Sequence, residues 1–67
     1  MNGTMLKDKI KASGKSIKNV IEALNIDEST FYRKLSNAKK SFSVEEAQII
    51  VSTLELSNTE ASQIFLQ

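Results

Sequence analysis

Residues 17–35 read IKNVIEALNIDESTFYRKL, and this stretch decides the fold. Its first apolar residues recur with the i, i+3, i+4, i+7 spacing of one helix face: Ile17, Val20, Ile21 and Leu24. Ser16, directly before them, is a favoured N-cap residue. Asn25 follows the stripe, and asparagine tolerates left-handed backbone, so the helix is expected to end there. The pattern therefore predicts a short amphipathic helix followed by a turn.

A second short helix follows this turn. Asp27 is suited to cap a helix over residues 28–35, in which Phe31 and Leu35 lie four apart and face the core. Ile26 is the single apolar residue of the turn, and we expect it to anchor the turn in the core. Two helices joined in this way predict a helix-turn-helix over about residues 17–35, whose second helix enters the DNA major groove.

Three more helices are predicted outside this unit. One runs from about Thr4 to Ala12, and Gly14 follows where a left-handed cap would fall. The other two begin at S-x-x-E capping boxes, Ser43 with Glu46 and Ser57 with Glu60. The predicted fold class is all-α, one domain over residues 1–67 that forms a compact five-helix bundle.

The core is expected on the apolar faces of these helices. The first helix contributes Leu6 and Ile10, and all three phenylalanines are predicted to be core rather than base-stacking residues. The fourth and fifth helices carry further apolar residues at this spacing: Val44, Ala47, Ile50, Val51, Leu54 and Ala61.

The composition argues against catalysis. The 67-residue chain has no histidine and no cysteine, which removes the usual general base and the commonest metal ligands. Glu45 and Glu46 are adjacent and point about 100° apart on a helix, so they do not form a catalytic pair. We therefore expect no enzymatic activity, metal, cofactor or small-molecule substrate. No membrane-spanning or signal segment is recognisable, and a cytoplasmic, intracellular protein is expected.

Charge is divided unevenly along the chain. Residues 1–40 hold all nine basic residues and four acidic ones, whereas residues 41–67 hold four acidic residues and no basic one. The first part thus carries +5 and the second −4, which is typical of a chain with one face for a polyanion. Chance division in a small domain is the alternative.

The sequence resembles the Cro/CI-like helix-turn-helix family of phage and bacterial regulators. The resemblance runs from about Leu6 to Leu66 and is carried by IKNVIEALNIDESTFYRKLSN at 17–37, FSVEEAQIIVSTLELS at 42–57 and NTEASQIFL at 58–66. It implies a lambda-repressor-like five-helix fold and a transcriptional regulator that binds DNA as a dimer. Three residues depart from the family's common pattern: Asn25 replaces glycine, Ile21 a small residue and Ile17 a DNA-contacting glutamine.

The exposed side of the second motif helix is predicted to read bases. Arg33 has the planar fork that pairs with guanine, Glu28 can accept from cytosine, and Ser29 can contact several bases. Tyr32 is assigned to a thymine methyl or a phosphate. The alternative for these four residues is an ordinary solvated helix face.

Residues around this helix are predicted to bind backbone phosphates, which positions the protein without specifying sequence. The N-terminus of the first motif helix is suited to an anion. The predicted phosphate-binding residues are Lys15, Ser16, Lys18, Asn19, Lys34, Asn37, Lys39 and Lys40. For any single lysine, simple solvation is the alternative.

These observations predict a sequence-specific regulator that binds a double-stranded DNA operator, similar to a small phage or prophage Cro-type repressor. Ile49, Ile64 and Leu66 are assigned to a patch for a homodimer or another partner, with partial burial as the alternative. A second hypothesis is an antirepressor of the same fold that binds a cognate repressor protein instead of DNA. The missing glutamine, the acidic Asp27 and Glu28, and the low net charge are compatible with that alternative.

Overall fold

The computed structural model describes residues 1–36 and 41–66. They form five α-helices and no strand, which confirms the predicted all-helical class. The helices are α1 (Gly3–Ala12), α2 (Ile17–Leu24), α3 (Glu28–Ser36), α4 (Val44–Leu54) and α5 (Asn58–Phe65). Asn37, Lys39 and Lys40, which were predicted to bind phosphates, lie outside the described residues.

Each helix begins at a side chain that caps its first turn. Ser43 accepts from the Glu46 N–H at 3.1 Å while the Glu46 carboxylate accepts from the Ser43 N–H at 2.9 Å, the reciprocal capping box expected from the sequence. The same box forms between Ser57 and Glu60. Side-chain oxygens cap the other three helices from Asn2, Ser16 and Asp27.

Left-handed residues turn the chain after three of the helices. The predicted left-handed residues are confirmed, since Gly14 has φ 77° and Asn25 has φ 57°. Glu55 also adopts φ 54° after α4, although glutamate carries no sequence signal for this conformation. Its N–H donates to the Ser52 carbonyl, which closes the end of the helix.

The core lies where α2 packs on α4 and α1 packs on α5, with Phe31 of α3 fully enclosed. The ring of Phe42 lies 5.6 Å from that of Phe31 between centroids, so the segment before α4 also closes the core. The buried residues are Leu6, Ile10, Val20, Leu24, Phe31, Ile50, Leu54 and Ile64. Half-buried apolar side chains surround them, among them the turn residue Ile26, Leu35 and Phe65.

Two expectations about burial are wrong. Val44 was expected in the core but is 78% exposed, because it lines an open groove beside α5 instead of packing in the core. Ile64 was assigned to an exposed partner patch but has no exposed surface, because it points from α5 into the core. The Asn2 N–H also donates to the Ile64 carbonyl at 2.7 Å, which ties the chain start to α5.

Ion pairs connect helices that are distant in sequence. Lys9 of α1 contacts Glu60 of α5 at 2.6 Å, and Lys34 of α3 contacts Glu46 of α4 at 2.7 Å. Both carboxylates also belong to capping boxes, so each joins a helix start to a neighbouring helix. Within the described residues, no helix combines the length and apolar character that a membrane crossing requires.

Candidate nucleic-acid interface

The turn between α2 and α3 fixes how α3 is presented. Asn25 reverses the chain in left-handed conformation, and the Ile26 N–H donates to the Ile21 carbonyl at 3.3 Å. The Ile26 side chain packs against the core, as expected. Asp27 then accepts from the Thr30 N–H at 3.0 Å and starts α3. The two helices are therefore held by both backbone hydrogen bonds and apolar packing.

The outer side of α3 is polar and exposed. Phe31 is buried, and residues two positions before and after it leave the helix roughly opposite the core, since each residue turns by about 100°. Ser29 and Arg33 occupy those two positions and are both exposed. Glu28 is also exposed, on a flank of the same helix. Three of the four predicted base-reading residues therefore lie on accessible surface at the outside of α3.

Asp27 organises the beginning of this surface. Its carboxylate accepts from the Thr30 N–H and from the Ser29 hydroxyl, the latter at 3.1 Å. These hydrogen bonds, that from Thr30 above all, lower the pKa of Asp27 below its ordinary value. The carboxylate is therefore charged at neutral pH, and it orients the Ser29 hydroxyl.

Tyr32 faces α1 rather than the outermost side of α3. Its ring stands edge-on to Phe31, with centroids 5.6 Å apart, and the Lys7 ammonium lies 6.0 Å from its centroid. The side chain remains 39% exposed. Tyr32 thus lies beside Ser29 and Arg33, at the border between α3 and α1.

A lysine-lined cleft adjoins Tyr32. It has a volume of about 390 Å³ and is bounded by α1, the start of α2 and α3. Lys7 and Lys11 contribute from one side of α1, and Lys15 contributes from the chain before α2. No acidic residue is among the described residues that line it. Lys7 and Lys11 were interpreted from the sequence only as a solvated helix side, because their spacing cannot show that α3 lies next to them.

The start of α2 borders the same cleft. Ser16 lines it and caps α2, while the Asn19 side-chain oxygen accepts from the Ser16 N–H at 2.9 Å. The amide nitrogen of Asn19 and the ammonium of Lys18 are on exposed side chains. Four predicted phosphate-binding residues therefore lie together near the start of α2: Lys15, Ser16, Lys18 and Asn19.

Lys34 differs from these residues. Its ammonium donates to both carboxylate oxygens of Glu46, at 2.7 and 2.8 Å, on the side of α3 that packs against α4. The phosphate contact of Lys34 remains a prediction, but its charge is already paired within the protein, unlike the charges of the exposed lysines near the start of α2.

The predicted partner patch is not a single surface. Ile64 is buried and Ile49 is half-buried against the core, so neither offers a large apolar area. Leu66 alone is strongly exposed, at 81%, and it borders an apolar groove between α4 and α5.

Comparison of the chain with protein-family models, with curated proteins and with solved structures finds no match. What the described surface can do chemically follows from its own residues. Ser29, Arg33 and Glu28 offer hydrogen-bond donors and acceptors on one helix, and the neighbouring lysines offer positive charge without base selectivity.

Proposed function

We propose that this chain is a sequence-specific DNA-binding transcriptional regulator, a small phage or prophage Cro-type repressor in which α2 and α3 act as a helix-turn-helix. One observation carries the proposal: the exposed face of α3 lies directly beside a cleft lined by three lysines. Base-reading groups on a rigid helix, next to cations that can hold phosphates, are the two components that such recognition requires.

In this proposal Ser29 and Arg33 read base edges in the major groove of a double-stranded operator. Arg33 is exposed, and no ion pair to it is found among the described residues. Its guanidinium is therefore available to pair bidentately with guanine O6 and N7. Glu28, one turn before Tyr32, accepts from cytosine N4 at the start of the helix.

In this proposal the lysines near α3 bind phosphates of the DNA backbone. Lys7, Lys11 and Lys15 converge on one cleft, so a phosphate placed there relieves their mutual repulsion. Lys18 lies in the first turn of α2, where the helix dipole adds to the attraction of an anion. The proposal thus adds Lys7 and Lys11 to the phosphate-binding residues and omits Lys34.

The test begins with selection of a bound site from random duplexes, followed by titration of that site and a scrambled duplex at several salt concentrations. Arg33→Ala should lose about 1–3 kcal/mol of discrimination between the two duplexes. Lys18→Gln should weaken both duplexes similarly and reduce the salt slope by about 1. Lys9→Gln is the matched control, because Lys9 is paired to Glu60 and lies outside the cleft.

Absence of salt-sensitive binding to any duplex would contradict the proposal. It would favour the antirepressor, a second candidate supported by the two carboxylates, Asp27 and Glu28, that are exposed at the start of α3. Such a protein should bind a cognate repressor, and α3 variants should weaken that binding. Equal losses on both duplexes for Arg33→Ala would leave DNA binding intact but remove Arg33 as a base reader.

A further inference from the structure

A groove between α4 and α5 lies apart from the candidate DNA interface. It has a volume of about 540 Å³, and its described lining includes no residue of α1, α2 or α3. Apolar side chains dominate the lining, among them Phe42, Val51 and Phe65. Small side chains such as those of Ala47 and Ala61 also line the groove and fill little of its volume. None of the described lining residues has a charged side chain, although a quarter of the chain is charged.

Two large apolar residues stand on the borders of the groove without a role in the core. Val44 is 78% exposed and Leu66 is 81% exposed, and both line the groove. The capping box at the start of α4 uses Ser43 and Glu46, so Val44 is not needed to begin the helix. Exposed apolar side chains around a depression are typical of a surface that a partner covers.

The dimensions of the groove fit two turns of a helix. Along α4 its lining extends from Val44 to Ser52, which is about 12 Å at a rise of 1.5 Å per residue. A partner helix of that length presents apolar anchors at i, i+3, i+4 and i+7. The groove is therefore long enough for one such stripe and too short for an extended coiled-coil contact.

The charged residues near the groove indicate which sign of charge a partner should carry. Neither Glu45 nor Glu55 lines the groove itself, but Glu45 lies on α4 between the lining residues Val44 and Gln48, and Glu55 follows the end of α4, three residues after the lining residue Ser52. Both carboxylates are exposed, whereas the other two acidic residues of this half are paired to Lys9 and Lys34. Residues 41–67 contain no lysine or arginine.

A second copy of this face would bring the same carboxylates against each other without a basic residue from α4 or α5 to oppose them. We propose that the groove instead binds an amphipathic helix of a partner protein whose apolar stripe is flanked by lysine or arginine. The basic flanks lie against Glu45 and Glu55, and the apolar stripe covers Val44 and Leu66. This site does not depend on whether α3 binds DNA.

The test uses the full chain and two synthetic helical peptides of about 15 residues, long enough to hold a helix. Both carry leucine at i, i+3, i+4 and i+7; one has lysine and the other glutamate at the flanking positions. Fluorescence anisotropy should show saturable binding of the lysine peptide, about tenfold tighter than that of the glutamate peptide. Amide chemical shifts should move at Val51 and Ala61 and not at Arg33.

Exposed-site variants keep the test independent of folding. Val44→Ser with Leu66→Ser should weaken the lysine peptide about tenfold, and Glu45→Lys with Glu55→Lys should reverse the preference between the peptides. Asp8→Lys on α1, outside the groove, is the matched charge control and should change neither affinity.

Three results would overturn the proposal. The first is equal affinity for both peptides, and the second is binding that the groove variants leave unchanged. The third is a dimer in sedimentation equilibrium that Val44→Ser with Leu66→Ser dissociates, because a second copy would then be the occupant. DNA titrations of the same variants separate this outcome from failure of the proposed function, since the groove contains no residue of α3.

Discussion

The pair between Lys34 and Glu46 is the reason for omitting Lys34 from the proposed phosphate-binding residues, and its strength can be measured. The ammonium lies 2.7 and 2.8 Å from the two carboxylate oxygens, and the side chains are only 27% and 17% exposed. Exposed pairs contribute about 0.2–1 kcal/mol, and partial desolvation with two hydrogen bonds places this pair near or just above the upper end. We therefore expect a coupling energy of about 1–1.5 kcal/mol.

The perturbation is a double-mutant cycle of Lys34→Met and Glu46→Gln. Glutamine keeps an oxygen that accepts from the Ser43 N–H, so the capping box survives while the charge is lost. At about 0.05–0.15 kcal/mol per residue, a domain of this size has roughly 3–10 kcal/mol of stability, so each single variant should be measurably weaker in urea. A loss of 1 kcal/mol corresponds to a drop of about 4–8 °C in Tm.

The coupling should depend on pH in one direction. Burial raises the pKa of Glu46, but hydrogen bonds from Lys34 and Ser43 and the charge of Lys34 outweigh it, so the net pKa lies below its ordinary value. The stabilisation is then complete above the ordinary pKa of 4.5 and is lost as pH falls through the lowered value. A coupling energy below about 0.3 kcal/mol at pH 7 would refute the reasoning. The omission of Lys34 from the phosphate-binding residues would also be refuted if Lys34→Met reduced the salt dependence of DNA affinity by about 1 in the log–log slope.

Three further predictions concern stability. Phe31→Ala should cost about 3–5 kcal/mol, enough to unfold much of the population at 37 °C, and wild-type-like thermal melting by circular dichroism would contradict its central position. Gly3→Ala should destabilise despite better helix propensity, because the new Cβ would lie 2.8 Å from the Leu35 carbonyl oxygen; the exposed neighbour Thr4→Ala, which adds no atom there, is the control. The hydrogen bond from Lys9 is the main reason why the pKa of Glu60 is lowered to about 2. The charged Glu60 therefore stabilises the fold fully above pH 4.5, and this stabilisation is lost as the pH falls toward 2. Glu60→Gln should flatten the pH dependence of the free energy of unfolding in urea titrations between pH 2 and 5.

The beginnings and ends of helices could be predicted because their signals are local. A serine followed three residues later by glutamate forms both hydrogen bonds of a capping box within one helical turn, as at Ser43 and Ser57. Asn25 needs only its own conformational tolerance. Glu55 shows the limit, since its left-handed conformation follows from the turn between α4 and α5 and not from its residue type.

Burial and pairing were harder to predict because they depend on which helices meet. The stripe on α4 includes Val44 by spacing, but Val44 lines an open groove and stays exposed, whereas Ile50 and Leu54 of the same stripe are buried. Lys34 was predicted to bind a phosphate, with solvation as the alternative, because its sequence neighbours cannot show that Glu46 lies across from it in the fold. The apposition of α1 and α3, which makes a cleft from Lys7 and Lys11, likewise has no signal in either helix alone.

The uneven charge of the two chain halves has a different meaning once the helices are placed. Two lysines of the first half are used to join α1 to α5 and α3 to α4. The lysines that line the cleft lie beside α3, whereas the exposed carboxylates Glu45 and Glu55 lie on and just after α4, near the groove between α4 and α5. The separation by sign is incomplete, since the carboxylates of Asp27 and Glu28 are exposed at the start of α3. The reason for assigning a polyanion to the cleft is that its described lining has three lysines and no acidic residue, and the reason for assigning a basic helix to the groove is that residues 41–67 contain no lysine or arginine.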